Sequence, residues 1–96
     1  MREREIEAYF VKREKEAGGL QRKFVSPGHR GVPDRIVGFK YERFAFVELK
    51  ATGEVPRPDQ SREHLKWAAL GFDVFILDSK ERVDDFIAYM TRWLCY

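Results

Sequence analysis

The sequence predicts an α/β fold: a small mixed β-sheet flanked by helices, with elements in the order α-β-β-β-α-β-α. Apolar residues recur at helical spacing near both ends of the chain, short runs of strand-forming residues lie between them, and glycine and proline mark the boundaries. A chain of 96 residues has room for one core, so we expect residues 1–96 to form a single domain.

The first half of the chain is predicted to hold one helix and three strands. Ile6 and Phe10 follow helical spacing, and Gly18 and Gly19 end that helix. The segment after them alternates between apolar and polar residues, and a turn-rich loop separates it from two further strand-like runs. The predicted ranges are a helix at 3–16, strands at 20–25, 34–39 and 44–50, a loop at 26–31 and a hairpin turn at 40–43.

The second half is predicted to add a helix, a buried strand and a last helix. Pro58 is a good first-turn residue and Gly71 a good stop, which predicts a helix over residues 58–70. Residues 74–77 form a continuous apolar run, as in a buried strand. The last helix is expected to start near Asp78, because Asp78 and Glu81 have capping-box spacing.

Composition excludes several classes of protein. Hydrophobic residues make up 44% and charged residues 35%, which is typical of a folded globular domain and not of a disordered one. No apolar run approaches the roughly 20 residues that span a bilayer, so we expect no membrane association. Cys95 is the only cysteine, which rules out an internal disulfide and favours the reducing cytoplasm.

The strand at 44–50 ends in two charged residues on one face. Alternate strand residues share a face, so Glu48 and Lys50 point the same way as Phe46. Asp34 opens the neighbouring strand of the hairpin and is expected within a few ångströms of Glu48. Two carboxylates that close repel each other, and a divalent cation relieves the repulsion.

This grouping suits phosphodiester hydrolysis. Carboxylate oxygens suit Mg²⁺, the cation activates a water, and a lysine can orient that water or stabilise developing charge. The alternative is that Glu48 and Lys50 form a solvated pair. A second acidic-x-Lys triplet, at residues 78–80, is preceded by another Pro-Asp at 58–59, but these acids are predicted at helix starts and not on adjacent strands.

These motifs together resemble the virus-type replication-repair nuclease (VRR-NUC) family of the PD-(D/E)xK superfamily. The residues that carry the resemblance are Gly31-Val32-Pro33-Asp34, Phe46-Val47-Glu48-Leu49-Lys50 and Gln60, with further similarity over nearly the whole chain. The resemblance implies a restriction-endonuclease-like fold and a Mg²⁺ or Mn²⁺ site. Asp34 and Glu48, with the Leu49 carbonyl, would be the metal ligands.

The same resemblance implies roles for three further residues. Lys50 would be the catalytic lysine, and Gln60 would be the helix glutamine beside the site. An acidic residue on the first helix would join the metal site, and alignment places it at Glu3, with Glu7 as the alternative. The competing interpretation of Glu3 is a favourable charge in the first turn of a helix.

A basic stretch precedes and includes the first motif. It predicts contact with a phosphate backbone, although a solvated face is the common alternative. The expected DNA-binding residues are Arg22, Lys23, His29, Arg30 and Arg35. His64 is expected to be a surface or partly buried residue and not a metal ligand, and Trp67 and Trp93 are expected to pack rather than to stack on bases.

The predicted function is that of a structure-selective DNA endonuclease. Standalone proteins that this chain resembles act as dimers on four-way (Holliday) junctions, so a homodimer in a bacterial or phage-infected cell is expected. The alternatives are flap cutting, non-specific nicking, or a non-catalytic DNA-binding module, and RNA stays open as a substrate. The chain ends in apolar and aromatic residues that offer a possible interface: Met90, Trp93, Leu94, Cys95 and Tyr96. We expect Met90 and Leu94 to pack on the chain's own sheet, which leaves Trp93 and Tyr96 as the better interface candidates.

Overall fold

The computed structural model describes residues 1–92, and within them three helices and four strands follow the predicted order. The elements are α1 (Glu3–Glu16), β1 (Leu20–Lys23), β2 (Arg35–Phe39), β3 (Arg43–Leu49), α2 (Pro58–Ala69), β4 (Val74–Leu77) and α3 (Lys80–Thr91). No helix among the described residues is long and apolar enough to cross a membrane.

The four strands form one mixed sheet in the order β1-β2-β3-β4. β1 pairs antiparallel with β2, and β2 pairs antiparallel with β3 through the tight turn at residues 40–42. β4 pairs parallel with β3, and α2 makes the connection between these two strands. The predicted α/β class is therefore confirmed.

One face of the sheet carries the hydrophobic core. Val37 and Phe39 of β2 and alternate residues of β3 point to this face, as the two-residue period of a strand requires. They pack against the apolar stripes of α1 and α3, which lie side by side. The core comprises Ile6, Phe10, Val37, Phe39, Ala45, Val47, Leu49, Leu77, Val83, Phe86, Ile87 and Met90.

The opposite face of β3 packs against α2. The ring of Phe46 lies 4.7 Å from that of Trp67 and 5.8 Å from that of Phe24, measured between centroids. Trp67 is a packing residue, as predicted. Glu48 and Phe46 are two residues apart on β3 and so lie on the same face of the strand. The Glu48 carboxylate therefore points toward α2 and away from the core.

The start of the last helix differs from the sequence prediction. Asp78 was expected to cap the last helix, and this was wrong: the Ser79 hydroxyl accepts a hydrogen bond from the Arg82 backbone amide at 3.1 Å. Asp78 instead pairs with the Arg82 guanidinium at 3.2 Å. Met90 packs in the core, as expected, whereas Trp93, Leu94, Cys95 and Tyr96 lie outside the described residues.

Candidate active site

The antiparallel register of β2 and β3 brings the two predicted carboxylates together. Arg35 pairs with Val47, so one step further along the ladder Asp34 faces Glu48. At this step the two carboxylates accept hydrogen bonds from backbone amides of the opposite strand. The Asp34 backbone amide donates to Glu48 Oε1 at 3.2 Å, and the Leu49 backbone amide donates to Asp34 Oδ2 at 3.0 Å. Each carboxylate is thus fixed by the backbone of the other strand.

The loop that delivers Asp34 is seated on the first turn of α2. Gly31 has φ of +87°, and a Cβ there would lie 2.7 Å from the Asp59 carbonyl oxygen. Only glycine accommodates both the backbone conformation and this close approach. Pro33 is fully buried beside it. The Gly31–Asp34 segment is therefore held in one position relative to α2.

Gln60 connects the acidic and basic groups of the site. Its amide nitrogen donates to Glu48 Oε2 at 2.7 Å, and its oxygen accepts from Lys50 Nζ at 3.0 Å. The same oxygen accepts from the Arg57 backbone amide at 2.9 Å, at the start of α2. Lys50 Nζ also lies 3.4 Å from Glu48 Oε2. The predicted position of Gln60 beside the carboxylates is what the structure shows.

Glu48 is the most deeply buried charge of the group, with 1% of its surface exposed. Burial raises the pKa of its carboxyl group, the negative charge of Asp34 raises it further, and Lys50 acts in the opposite direction. A buried carboxylate beside a second carboxylate is a site that gains from a cation.

His64 lies closer to the site than the sequence indicated. It is 8% exposed, and its Nε2 lies 3.9 Å from Glu48 Oε1, with no hydrogen-bond partner among residues 1–92. The expectation of a surface or partly buried histidine was wrong. The signal available in the sequence was its i,i+4 spacing from Gln60, which places both side chains on one face of α2.

The two candidate acids of α1 are placed differently. Glu7 Oε2 accepts from Arg35 Nη2 at 2.6 Å and is committed to that ion pair. Glu3 is exposed and makes no hydrogen bond or ion pair among the described residues. Both border a cleft of about 250 Å³ that Asp34 also lines.

The five expected DNA-binding residues do not form one surface. Lys23 is exposed and lines the cleft that Asp34 also lines. Arg22 lines a separate apolar groove formed by β1 and β2. Arg30 is almost fully exposed. His29 Nε2 donates a hydrogen bond to Glu63 Oε1 at 2.9 Å.

Arg35, the last of the five expected DNA-binding residues, has a structural role. It is buried, and its guanidinium donates to Glu7 and to Gln21 Oε1. Arg35 is buried because it lies on the same face of β2 as Val37, and this face carries the core. It is therefore not available to a phosphate.

The donor set fits a hard divalent cation. Among residues 1–92 no three His, Cys, Asp or Glu side chains form a preformed metal-binding group. Mg²⁺, however, is commonly held by one or two carboxylates, with water and substrate phosphate as the other ligands. Asp34 and Glu48 supply that pair, and the Leu49 backbone amide donates to Asp34 Oδ2.

Replacing Glu48 with glutamine should reveal the energetic cost of this buried charge. Because the pKa of Glu48 is raised in the folded state, the folded protein binds this proton more tightly than the unfolded chain does. The protonated carboxyl group therefore stabilises the fold fully below the ordinary carboxyl pKa. That contribution to the free energy of unfolding is lost as pH rises through the raised pKa. Urea unfolding in EDTA should show Glu48→Gln gaining stability over the wild type between pH 4 and pH 7.

The matched control is Glu54→Gln, because Glu54 is exposed and its side chain makes no hydrogen bond among the described residues. Its stability should follow the wild type at both pH values. A Glu48→Gln variant whose difference from the wild type does not change with pH would contradict the assignment of a costly buried charge.

Comparison with known proteins places this arrangement in a family. No protein-family model matches the sequence. The chain is 49% identical over 81 residues to a protein of Acyrthosiphon pisum secondary endosymbiont phage 1 named "Putative nuclease p44", a match that covers 84% of this chain and 87% of that protein. A solved VRR_NUC domain matches with a TM-score of 0.84 at 34% identity, covering 91% of this chain and 95% of that one. With the carboxylate pair, lysine and glutamine in place, the chain belongs to the VRR-NUC family of nucleases.

Proposed function

We propose that this nuclease is a Mg²⁺-dependent, structure-selective DNA endonuclease that hydrolyses phosphodiester bonds. The observation that supports the proposal is the Asp34–Glu48 pair, fixed by reciprocal backbone hydrogen bonds and set beside Lys50 and Gln60. Asp34 and Glu48 would hold Mg²⁺ or Mn²⁺, with the Leu49 carbonyl as a further ligand. When bound, the cation activates water and neutralises charge on the phosphate.

Lys50 is held ready to act as a fixed cation. Its Nζ is bound by Gln60 at 3.0 Å and lies 3.4 Å from Glu48, so its position does not depend on substrate. A preorganised positive charge stabilises negative charge that develops on the phosphate oxygens. We assign Lys50 this role and the orientation of the attacking water. Gln60 keeps both side chains in place.

The first helix supplies the other acid of the proposed site. Glu3 has no partner among residues 1–92, whereas the carboxylate of Glu7 is occupied by Arg35. Because both border the cleft that contains Asp34, this difference favours Glu3 as the acid that completes the metal environment. Lys23 on the same cleft would contact the DNA backbone, with Arg22, His29 and Arg30 as outer contacts.

The proposed substrate is a four-way DNA junction, and the proposed working unit is a homodimer. Each chain carries one carboxylate pair of this kind among its described residues, yet a junction is resolved by cutting two strands. A four-way junction has approximate two-fold symmetry, and a two-fold dimer presents two sites related by the same operation. A flap or a nicked duplex would need only one of these sites.

Removing the lysine should separate catalysis from binding. Lys50→Ala should lower the single-turnover cleavage rate by about 10²–10³, as expected for loss of a placed electrostatic catalyst. DNA affinity should change far less, because several basic residues share the phosphate contacts. Lys40→Ala, at an exposed lysine of the β2–β3 turn, should retain the wild-type rate.

The same assay tests the metal. Cleavage should stop in EDTA and return with Mg²⁺ or Mn²⁺. Full activity in EDTA would rule out the proposed mechanism, and an equal loss of binding and cleavage in Lys50→Ala would make Lys50 a binding residue.

Substrate choice and assembly are tested together. Purified protein should cut a four-way junction by paired, symmetric nicks and act more slowly on flaps, linear duplex and single strands. Sedimentation at micromolar concentration should show a dimer on the junction. A strict monomer that makes paired cuts would refute the dimer, and preference for flaps or unbranched duplex would replace the junction with one of those substrates.

A further inference from the structure

His64 places a buried ring nitrogen close to Glu48, and this nitrogen has no hydrogen-bond partner in the described part of the chain. The residue is 8% exposed, and Nε2 makes no hydrogen bond among residues 1–92. Leaving a buried polar nitrogen unpaired is unfavourable, so such atoms in folded proteins normally have a partner. The atom it faces is Glu48 Oε1, at 3.9 Å, which is too far for a direct hydrogen bond.

The helix directs two side chains at the two oxygens of one carboxylate. Gln60 and His64 are one turn apart on α2, and Gln60 donates to Oε2 of Glu48. His64 lies on the Oε1 side, where the Asp34 backbone amide also donates. Glu48 Oε1 therefore lies between the backbone of Asp34 and the imidazole of His64.

The spacing suits a shared cation. Two donors that bind one cation at about 2.1 Å stand about 3.0 Å apart when adjacent in an octahedron and about 4.2 Å apart when opposite. The separation of 3.9 Å between His64 Nε2 and Glu48 Oε1 lies between these limits.

We propose that His64 is a ligand of the divalent cation held by Asp34 and Glu48, binding it through Nε2. The inference rests on the proposed metal dependence and adds a nitrogen to a site otherwise made of oxygen. The three side chains do not form a preformed group among residues 1–92, so they would have to move closer together to bind one cation. Imidazole nitrogen suits first-row transition metals, whereas Mg²⁺ prefers oxygen, so the site should favour Mn²⁺ over Mg²⁺.

Pulsed electron paramagnetic resonance of the Mn²⁺-loaded protein tests this directly, because it detects nitrogen nuclei bound to the ion. The chain has two histidines, His29 and His64. His29→Gln leaves His64 as the only histidine, so an imidazole nitrogen signal in this variant must come from His64. We expect that signal in the wild type and in His29→Gln, and its loss in His64→Gln.

Binding measurements by calorimetry complete the test. His64→Gln should weaken Mn²⁺ binding by about tenfold, with a smaller effect on Mg²⁺. If the wild type bound Mn²⁺ without an imidazole signal, or if the signal persisted in His64→Gln, His64 would not be a ligand. Either result would leave the carboxylate site of the proposed function standing. If Asp34→Asn bound Mn²⁺ as tightly as the wild type, the proposed carboxylate site itself would fail. Since the signal in His29→Gln is read with His64 intact, the test does not depend on the folding of His64→Gln.

Discussion

The site depends on two carboxylates being held side by side against their mutual repulsion. Asp34 and Glu48 lie where the β2–β3 ladder ends, and each accepts a hydrogen bond from the backbone of the opposite strand. Hydrogen bonds to a charged group stabilise its ionised form, while burial opposes it. For Glu48 burial is the larger effect, which raises its pKa. The fold thus maintains a negative pocket that a cation would stabilise.

The rest of the structure maintains this pair from two sides. The core face of the sheet, packed on α1 and α3, fixes the strand register that sets Asp34 opposite Glu48. On the other face α2 supplies Gln60, which binds Glu48 and Lys50 together, and its first turn receives Gly31. A change in either layer would therefore act on the site even at a distance from it.

The sequence predicted the fold well because its signals are local. The two-residue period of β3 that buries Val47 in the core also turns Glu48 toward α2. The glycine and proline residues that predicted the helix boundaries lie close to the observed helix ends. What it could not supply were distances between elements far apart in sequence. The pairing of Arg35 with Glu7 depends on the position of α1 relative to β2, and the approach of His64 to Glu48 follows from the docking of α2 on β3. The cap at Ser79 was missed because Asp78 and Ser79 are both good N-cap residues.

Crystallographic localisation of Mn²⁺ by anomalous scattering tests the proposed metal site most directly. Crystals of the wild type soaked in Mn²⁺ should show an anomalous difference peak within coordination distance of one oxygen of Asp34 and one of Glu48. Crystals of Asp34→Asn treated in the same way should lack it. A peak bound by neither carboxylate, or fully occupied in Asp34→Asn, would contradict the assignment of this pair as the metal-binding centre of the nuclease.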